Sequence, residues 1–352
     1  MSGFCSGFWS GFCSGLTREW IVQRIQGLLA IVVLTGLLWP GLKFEAIAAE
    51  SARDDSSVLS GAIEFHVHTA PDVVPRLWTD VQLVQAAESA ELRAVVLKNH
   101  VFPTSDRAGL AQETVRELKV FGGVVLNEAV GGLNPEAVRV MTRLPGGRGK
   151  VVWLPTIDAA YHRQTFSQEP GGIRVLEGDR LVRELETILY SVRDRQLVLA
   201  TGHVSPQEVL TVVRRARELG IEKLLITHAM AEVPGLNLEQ MKTLAELGAY
   251  LELDYVNTLM GPNAVDPAHR AWREVSLEEM ATVIQEIGAQ HFILSTDLGR
   301  PHDPNPIQGY QAFIEGLHNQ GISEADLAIM TQDNPARLLD LPQSPTQTPV
   351  PH

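Results

Sequence analysis

The 352-residue sequence contains only two cysteines, Cys5 and Cys13, and both lie at its start. The rest of the chain is free of cysteine, which excludes a disulfide framework and a thiolate metal site there. The absence of cysteine after residue 13 is compatible with an oxidising compartment.

The chain also lacks an excess of positive charge, because 29 Lys and Arg face 42 Asp and Glu, for a formal net charge of −13. Binding to a nucleic-acid backbone needs Lys and Arg concentrated on one face, and no such run occurs. The hydrophobic fraction of 45% is typical of a globular protein with a core. We therefore expect an acidic enzyme with a small-molecule substrate and no nucleic-acid partner.

The apolar run at residues 28–38 is too short to span a bilayer comfortably, which takes about 20 residues. It follows Arg18 and Arg24 and precedes a small-residue end at residues 46–49. A positive region, a short apolar core and an A-x-A end are typical of a secretory signal peptide. We predict export to the periplasm or the medium, with an uncleaved N-terminal membrane anchor as the alternative and no other contact with a membrane.

From Gly61 onward, eight short apolar runs alternate with amphipathic helical stretches. The runs are continuous and rich in β-branched residues, which indicates parallel strands buried on both faces. Capping boxes that begin at Ser205 and Ser276 mark helix starts between the runs. Because alternating strands and helices form right-handed βαβ units, eight of them predict an α/β fold, a (β/α)8 TIM barrel with C-terminal closing helices. The runs are AIEFHVH, RAVVLKNH, FGGVVLNEA, VVWLPTID, LVLATGH, KLLITH, AYLELDY and FILSTD.

This pattern divides the chain into four predicted parts. A low-complexity start and the signal peptide occupy residues 1–49, and a polar linker occupies residues 50–60. The barrel domain comprises residues 61–341, and the Pro-rich residues 342–352 form a disordered tail. The longest stretches between strands follow strands four and seven, and these loops are predicted to form substrate walls.

Nearly every run ends in a group that can bind a metal or transfer a proton. In a barrel, the carboxyl ends of the strands converge on one pocket. A single strand-end histidine is more often structural, but a cluster of buried polar groups is costly unless a cation satisfies them together. These groups are His66 and His68 on strand one, Lys98 and His100 on strand two, Glu128 on strand three, Asp158 on strand four, His203 on strand five, His228 on strand six and Asp297 on strand eight.

The H-x-H pair of His66 and His68 is the most specific of these signals, because residues two apart in a strand face the same side and can reach one ion. With the strand-end groups His203, His228 and Asp297, the pair resembles the amidohydrolase superfamily over nearly the whole chain after residue 60. The resemblance implies that these five residues hold one or two divalent metals, with Zn²⁺ the expected ion.

Three further stretches, HVHTAPD, VVLKNH and VLNEAVGGLNP, are similar to a poorly characterised group of hydrolase-like proteins, a domain of unknown function. The run from Asn334 to Leu339 looks like the helix that closes such barrels. Many two-metal members place a carboxylated lysine at the end of strand four, but here that strand ends in PTID. Lys98 could be carboxylated and bridge two metals instead. Glu128 and Asp158 are alternative bridges, and a single metal without a bridge stays open.

The predicted function is metal-dependent hydrolysis, because a bound cation acidifies its water toward pH 7 for attack on an amide, ester, lactone or phosphoester bond. Asp297 is the predicted proton shuttle. His228 is predicted either to bind a second metal or to donate a hydrogen bond to the substrate.

Substrate contacts are predicted at His100, Asn127 and Asn134, which lie at the same end of the barrel, and His302 is a further residue that could face the pocket. The other histidines are predicted to be surface or structural residues: His162, His269, His291, His318 and His352.

Two alternative functions remain open. One is a decarboxylase or other lyase on the same barrel, which would use a single metal and no bridge. The other is a barrel that binds a metal or solute without catalysis. A metal-dependent deoxyribonuclease is disfavoured by the acidic charge. The sequence also leaves a homo-oligomer open.

Overall fold

Eight parallel strands form the sheet of the computed structural model, which describes residues 57–166 and 170–343. The strands pair in sequence order from β1 to β8, as the sequence predicted. The (β/α)8 barrel is therefore confirmed. The strands are β1 (Ile63–His68), β2 (Ala94–Lys98), β3 (Lys119–Val125), β4 (Gly149–Trp153), β5 (Val198–Ala200), β6 (Leu224–Ile226), β7 (Tyr250–Asp254) and β8 (Phe292–Ser295).

Helices follow the strands and cover the outside of the barrel. Capping boxes at Ser205 and Ser276 begin α6 and α8, because each Ser side chain accepts from the backbone N–H of a Glu three residues on. The helices are α1 (Asp80–Ser89), α2 (Ser105–Gln112), α3 (Pro135–Met141), α4 (Ala160–Thr165), α5 (Arg183–Asp194), α6 (Pro206–Glu218), α7 (Leu238–Glu246), α8 (Leu277–Ile287), α9 (Pro306–Asn319), α10 (Glu324–Ala328) and α11 (Asn334–Leu339).

The lumen of the barrel is filled by apolar side chains at the end opposite the carboxyl ends of the strands. Phe65, Trp153 and Ile293 belong to this cluster, and Ala336 and Leu339 of α11 pack into it. A second, larger apolar layer lies between the strands and the outer helices. The closing helix therefore plugs one end of the barrel, which leaves the other end for the polar groups.

The contact between β1 and β8 closes the barrel and depends on a buried carboxylate. Oε1 of Glu64 accepts from the backbone N–H of His66 at 3.0 Å and of Thr296 at 3.1 Å. The register between β1 and β2 shifts between Glu64 and Val67, so the strand carries a bulge here. Further on, the N–H of Asp297 donates to the carbonyl of His66 at 2.8 Å. The junction thus fixes the backbone of two predicted ligands.

The predicted signal peptide and most of the predicted linker and tail lie outside the described residues, so export and the domain boundaries stay predictions. Within residues 57–166 and 170–343, no helix combines the length and the apolar character needed to cross a membrane.

Candidate metal centre

Five imidazole rings and one carboxylate meet at the carboxyl ends of the strands. Nε2 of His66 and Nε2 of His68 each lie 2.9 Å from Oδ1 of Asp297. The structure therefore brings the predicted strand-end histidines and Asp297 together. Neighbouring rings have centroids 4.8 to 6.3 Å apart, in a chain that connects His66, His68, His100, His203 and His228.

Two buried carboxylates of β7 complete the centre, and the sequence analysis missed both. Oδ2 of Asp254 lies 2.7 Å from Nδ1 of His228, and Oε2 of Glu252 lies 3.4 Å from Nδ1 of His66. Neither carboxylate is exposed. Their signal was available, because two acids spaced two apart interrupt the otherwise apolar strand AYLELDY.

His228 and Asp297 have left-handed backbones, with φ of 53° and 49°. This region costs a residue with a side chain of order 1–3 kcal/mol and persists only where the surroundings enforce it. Here the turns that follow β6 and β8 direct both side chains toward the centre, with Nε2 of His228 3.5 Å from Oδ2 of Asp297. Strain at these two residues is typical of a functional site.

His203 is held by His162, which lies on α4 in the long loop after β4. The Nδ1 atoms of the two rings are 2.9 Å apart, and both rings are buried. If Nδ1 of His203 donates, its Nε2 keeps a lone pair for a cation. His162 was predicted to be surface or structural, and its contact with His203 instead makes it part of the wall of the centre.

Lys98 lies beside His66 with no exposed surface. Its Nζ is 2.7 Å from Nε2 of His66. Burial lowers the pKa of Lys98, although Asp297 and Glu252 oppose this effect. A lysine in this position has direct access to the centre.

Glu128 and Asp158, the alternative bridges, form ion pairs with Arg163 instead. Arg163 lies 3.0 Å from the Glu128 carboxylate and 2.8 Å from that of Asp158. The Glu128 side chain is 58% exposed, and neither acid belongs to a ligand group of the described residues. The structure therefore favours Lys98 among the three bridging candidates.

Two of the predicted substrate contacts have their side chains engaged in the fold. Asn127 is buried, donates to the carbonyl of His100 and to Thr156, and accepts from the N–H of Thr156. Asn134 caps α3, where it accepts from the N–H of Glu136. His100 stacks on His68 at 4.8 Å and contacts Thr156 through Nδ1. Of these predicted contacts, only His100 has a ring that lines the centre directly.

Arg76 and Trp272 border the centre and were not singled out from the sequence. Nη2 of Arg76 lies 3.2 Å from Nδ1 of His68, while Asp72 holds its Nε at 2.7 Å. A guanidinium only donates, so this contact favours the tautomer of His68 that carries its proton on Nε2. A cation can bind Nε2 of His68 only after that proton leaves this nitrogen. Trp272 stands edge-on to His203 and His228, at 5.9 and 6.5 Å.

Burial and clustered charge shift pKa values in opposite directions. Burial alone lowers the pKa of His66, but Asp297 and Glu252 outweigh it and raise the pKa to about 10. Burial lowers the pKa of His68 and of His203 well below the usual range. For Asp297, burial raises the pKa, yet His66 and His68 hold it well below its ordinary value. The centre thus contains neutral imidazoles at His68 and His203 beside the ionised Asp297, which suits cation binding, whereas His66 must lose a proton before it can bind a cation.

Unpaired buried atoms test whether these residues fit a metal. Among the described residues, five of the eight buried side-chain atoms without a hydrogen-bond partner belong to this centre. Nε2 of His68 is one of them, although it lies 2.9 Å from Asp297, because the two groups are not aligned for a hydrogen bond. His68 and Asp297 thus point toward a common position rather than toward each other, as two ligands of one cation would. The five atoms are His66 Nδ1, His68 Nε2, His203 Nε2, Glu252 Oε2 and Asp254 Oδ1.

Solved structures share this fold at low sequence identity. An organophosphorus hydrolase from Deinococcus radiodurans is 16% identical, covers 80% of this chain and 93% of its own, and gives a TM-score of 0.53. An amidohydrolase from Pseudomonas aeruginosa is 12% identical, covers 81% of this chain and 97% of its own, and gives a TM-score of 0.52. At these identities the likeness concerns the fold alone.

Sequence profiles match two overlapping parts of the chain. The profile of the phosphotriesterase family matches residues 198–339, which include His203, His228 and Asp297. This match confirms the resemblance to the amidohydrolase superfamily. No curated protein matches the chain. The profile described as a family of unknown function, DUF6282, matches residues 61–252, more than half of the chain, and the protein belongs to that family.

Proposed function

We propose that this protein is a metal-dependent hydrolase that cleaves an ester, lactone or phosphoester bond of a small molecule. The convergence of three buried imidazoles on Asp297 carries the proposal, because Nε2 of His66, His68 and His228 lies 2.9, 2.9 and 3.5 Å from its carboxylate. The match to the phosphotriesterase family supports it. So do two barrels of the same fold, an organophosphorus hydrolase and a structure described as derived from a weak promiscuous lactonase template.

The residues of β1 and β8 would hold one cation, since His66, His68 and Asp297 place ligand atoms within 4.8 Å of one another. His203 and His228 would hold a second cation or the substrate oxygen. Imidazole and carboxylate ligands suit Zn²⁺, which we propose as the ion. When bound, the cation would supply an acidified water and polarise the oxygen of the scissile bond.

Asp297 has the position that a proton shuttle requires. Its Oδ1 faces His66 and His68, while its Oδ2 lies 3.5 Å from Nε2 of His228. The side chain is 17% exposed, so it is the member of this group that a substrate can reach. A carboxylate in this place can take a proton from the attacking water and deliver it to the leaving group.

His228 is oriented for the same reaction by Asp254. The Asp254 carboxylate accepts from Nδ1 of His228 at 2.7 Å, which fixes the tautomer and leaves Nε2 free. His228 can then bind a cation or meet the substrate oxygen. Trp272 stands edge-on beside it and forms this side of the pocket.

Lys98 is the residue that would decide between one and two metals. Burial lowers its pKa and so increases the share of neutral amine, the form that reacts with carbon dioxide to give a carbamate able to bridge two cations. Mass measurement of the zinc-loaded protein, combined with metal analysis, tests this role. Two Zn²⁺ within the candidate metal centre with one added carbon dioxide on Lys98 supports the bridge, whereas one Zn²⁺ in this centre with unmodified Lys98 favours the single-metal lyase.

Asp297→Asn tests the function directly, with Asp158→Asn as the matched control. Both changes remove one carboxylate at the same end of the barrel, but Asp158 pairs with Arg163. On a panel of esters, lactones and phosphoesters, Asp297→Asn should lower kcat by about 10²- to 10⁴-fold and retain zinc, while Asp158→Asn keeps most activity. Wild-type turnover by Asp297→Asn would remove the shuttle role, and a zinc-loaded protein inactive on every substrate would favour a non-catalytic barrel.

A further inference from the structure

A second group of ligand-type side chains lies in the loops that follow β7 and β8. These loops enclose a cleft of about 490 Å³. Asp266, His269 and Asp303 line it and place one ligand atom each within 4.8 Å of the others. The group shares no residue with the candidate metal centre.

The two carboxylates of this group each use one oxygen in the fold and leave the other free. Oδ1 of Asp266 accepts from the N–H of Ala268 at 2.8 Å, and Oδ2 of Asp303 accepts from the N–H of Arg300 at 3.1 Å. Their side chains are only 8% and 2% exposed. The guanidinium of Arg300 lies 3.8 Å from Asp266, too far for a hydrogen bond. The negative charge in the cleft is therefore only weakly compensated.

His269 supplies the independent observation. Its side chain is 8% exposed, and its Nδ1 lies 3.8 Å from Oδ1 of Asp303. Within the described residues, neither ring nitrogen has a hydrogen-bond partner. An imidazole that is nine-tenths buried and faces two carboxylates without a hydrogen bond is arranged as a ligand, and one cation can be bound by all three groups. His269 was predicted to be a surface or structural residue, but in this cleft it lies beside two carboxylates with which it could bind a metal ion.

We propose that Asp266, His269 and Asp303 form a second divalent-cation site, separate from the candidate metal centre. Two carboxylate oxygens and one imidazole nitrogen suit a transition-metal ion such as Zn²⁺. The open cleft leaves the remaining coordination positions to water.

A cation at this site would tie the loop after β7 to the loop after β8. Trp272 follows His269 by three residues, and its N–H donates to the carbonyl of His269 at 3.2 Å. The ring of Trp272 packs against His203 and His228. The second site would thus hold one wall of the candidate metal centre in place without contributing a ligand to it.

Metal analysis of three proteins tests the site. Wild type, Asp303→Asn and Glu274→Gln are stripped with chelator, loaded with Zn²⁺, dialysed, and measured for zinc per chain. Glu274 lines the same cleft and is exposed, so its change removes an equal charge without removing a proposed ligand. Asp303→Asn should bind one Zn²⁺ fewer than wild type, and Glu274→Gln the same number. Equal zinc in wild type and Asp303→Asn would overturn the site.

Limited trypsin digestion gives a second measurement that needs no stoichiometry. Arg270 and Arg273 are exposed in the tied loop, so Zn²⁺ should slow cleavage after them several-fold in the wild type. His269→Asn should abolish this protection, and His68→Asn, which alters a β1 ligand of the candidate metal centre whose ring pairs with His66 and His100, should keep it. The reverse pattern would assign the protection to the candidate metal centre and refute the second site.

Discussion

Asn127 makes three hydrogen bonds that connect the loops after β2, β3 and β4. Asn127→Ala leaves the buried N–H of Thr156 without an acceptor. One unsatisfied buried group costs about 1–3 kcal/mol, and the carbonyl of His100 also loses a donor. We expect the free energy of unfolding to fall by about 2–4 kcal/mol, measured by urea denaturation.

Asn134→Ala is the matched control, because Asn134 is the partly exposed cap of α3. Loss of such a cap costs about 1 kcal/mol. Equal losses of unfolding free energy in the two variants would show that Asn127 does not connect the three loops. Asn127 would then be a candidate substrate contact again.

The raised pKa of His66 determines how zinc binding depends on pH. Asp297 and Glu252 outweigh burial and raise this pKa to about 10, so the metal-free protein holds a proton on His66 at neutral pH. A cation must displace that proton, and zinc affinity should therefore rise about tenfold per pH unit around pH 7. Calorimetry in two buffers of different ionisation enthalpy counts the protons released. Zinc binding without proton release at pH 7 would contradict the prediction.

At the scale of the element, the strands were predictable and several of their contacts were not. Continuous apolar runs in alternation with capped helices determine a parallel barrel, and the strand ends follow from it. The acids Glu64, Glu252 and Asp254 are visible within apolar strands, but an acid in such a strand gives no sign of its partner. The contacts of these acids depend on the bulge in β1 and on the register between neighbouring strands, which no local pattern contains.

Glu64 at the β1–β8 junction leads to a prediction about stability and pH. Burial raises its pKa from 4.5 to about 8. Between these values the folded protein holds a proton that the unfolded chain has lost. Stability therefore falls as pH rises through this window, by up to about 1.4 kcal/mol per pH unit. Glu64→Gln keeps an acceptor for the N–H groups of His66 and Thr296 and should flatten the decline, measured as Tm between pH 5 and 8 in chelator.

Glu136→Gln serves as the control for Glu64→Gln, because the ion pair with Arg139 lowers the pKa of Glu136 and its titration lies below this window. The control should follow the wild-type decline of Tm. An equally steep decline in Glu64→Gln would show that Glu64 does not titrate between the two values.

At the scale of the whole molecule, the barrel places the apolar residues that stabilise its lumen and the candidate metal ligands at opposite ends. The predicted closing helix α11 fills one end with Ala336, Leu338 and Leu339, whereas the ligands occupy the other end. The sequence predicted the ligand end, since the polar residues fall after the strands, and it predicted a closing helix, but it did not predict which end that helix fills. It could not predict the second ligand group, because Asp266 and Asp303 meet only through the folding of two long loops.

Leu339→Ala tests this separation. Leu339 is 1% exposed within the lumen cluster, and such a truncation costs about 2–5 kcal/mol. The free energy of unfolding should fall by that amount, while zinc per chain stays at the wild-type value because no ligand lies at this end. Val140→Ala on α3, at a position 48% exposed, should change stability by no more than about 0.5 kcal/mol. If Leu339→Ala lost zinc while still folded, the two ends of the barrel would be coupled, and the plug would belong to the metal chemistry as well as to the core.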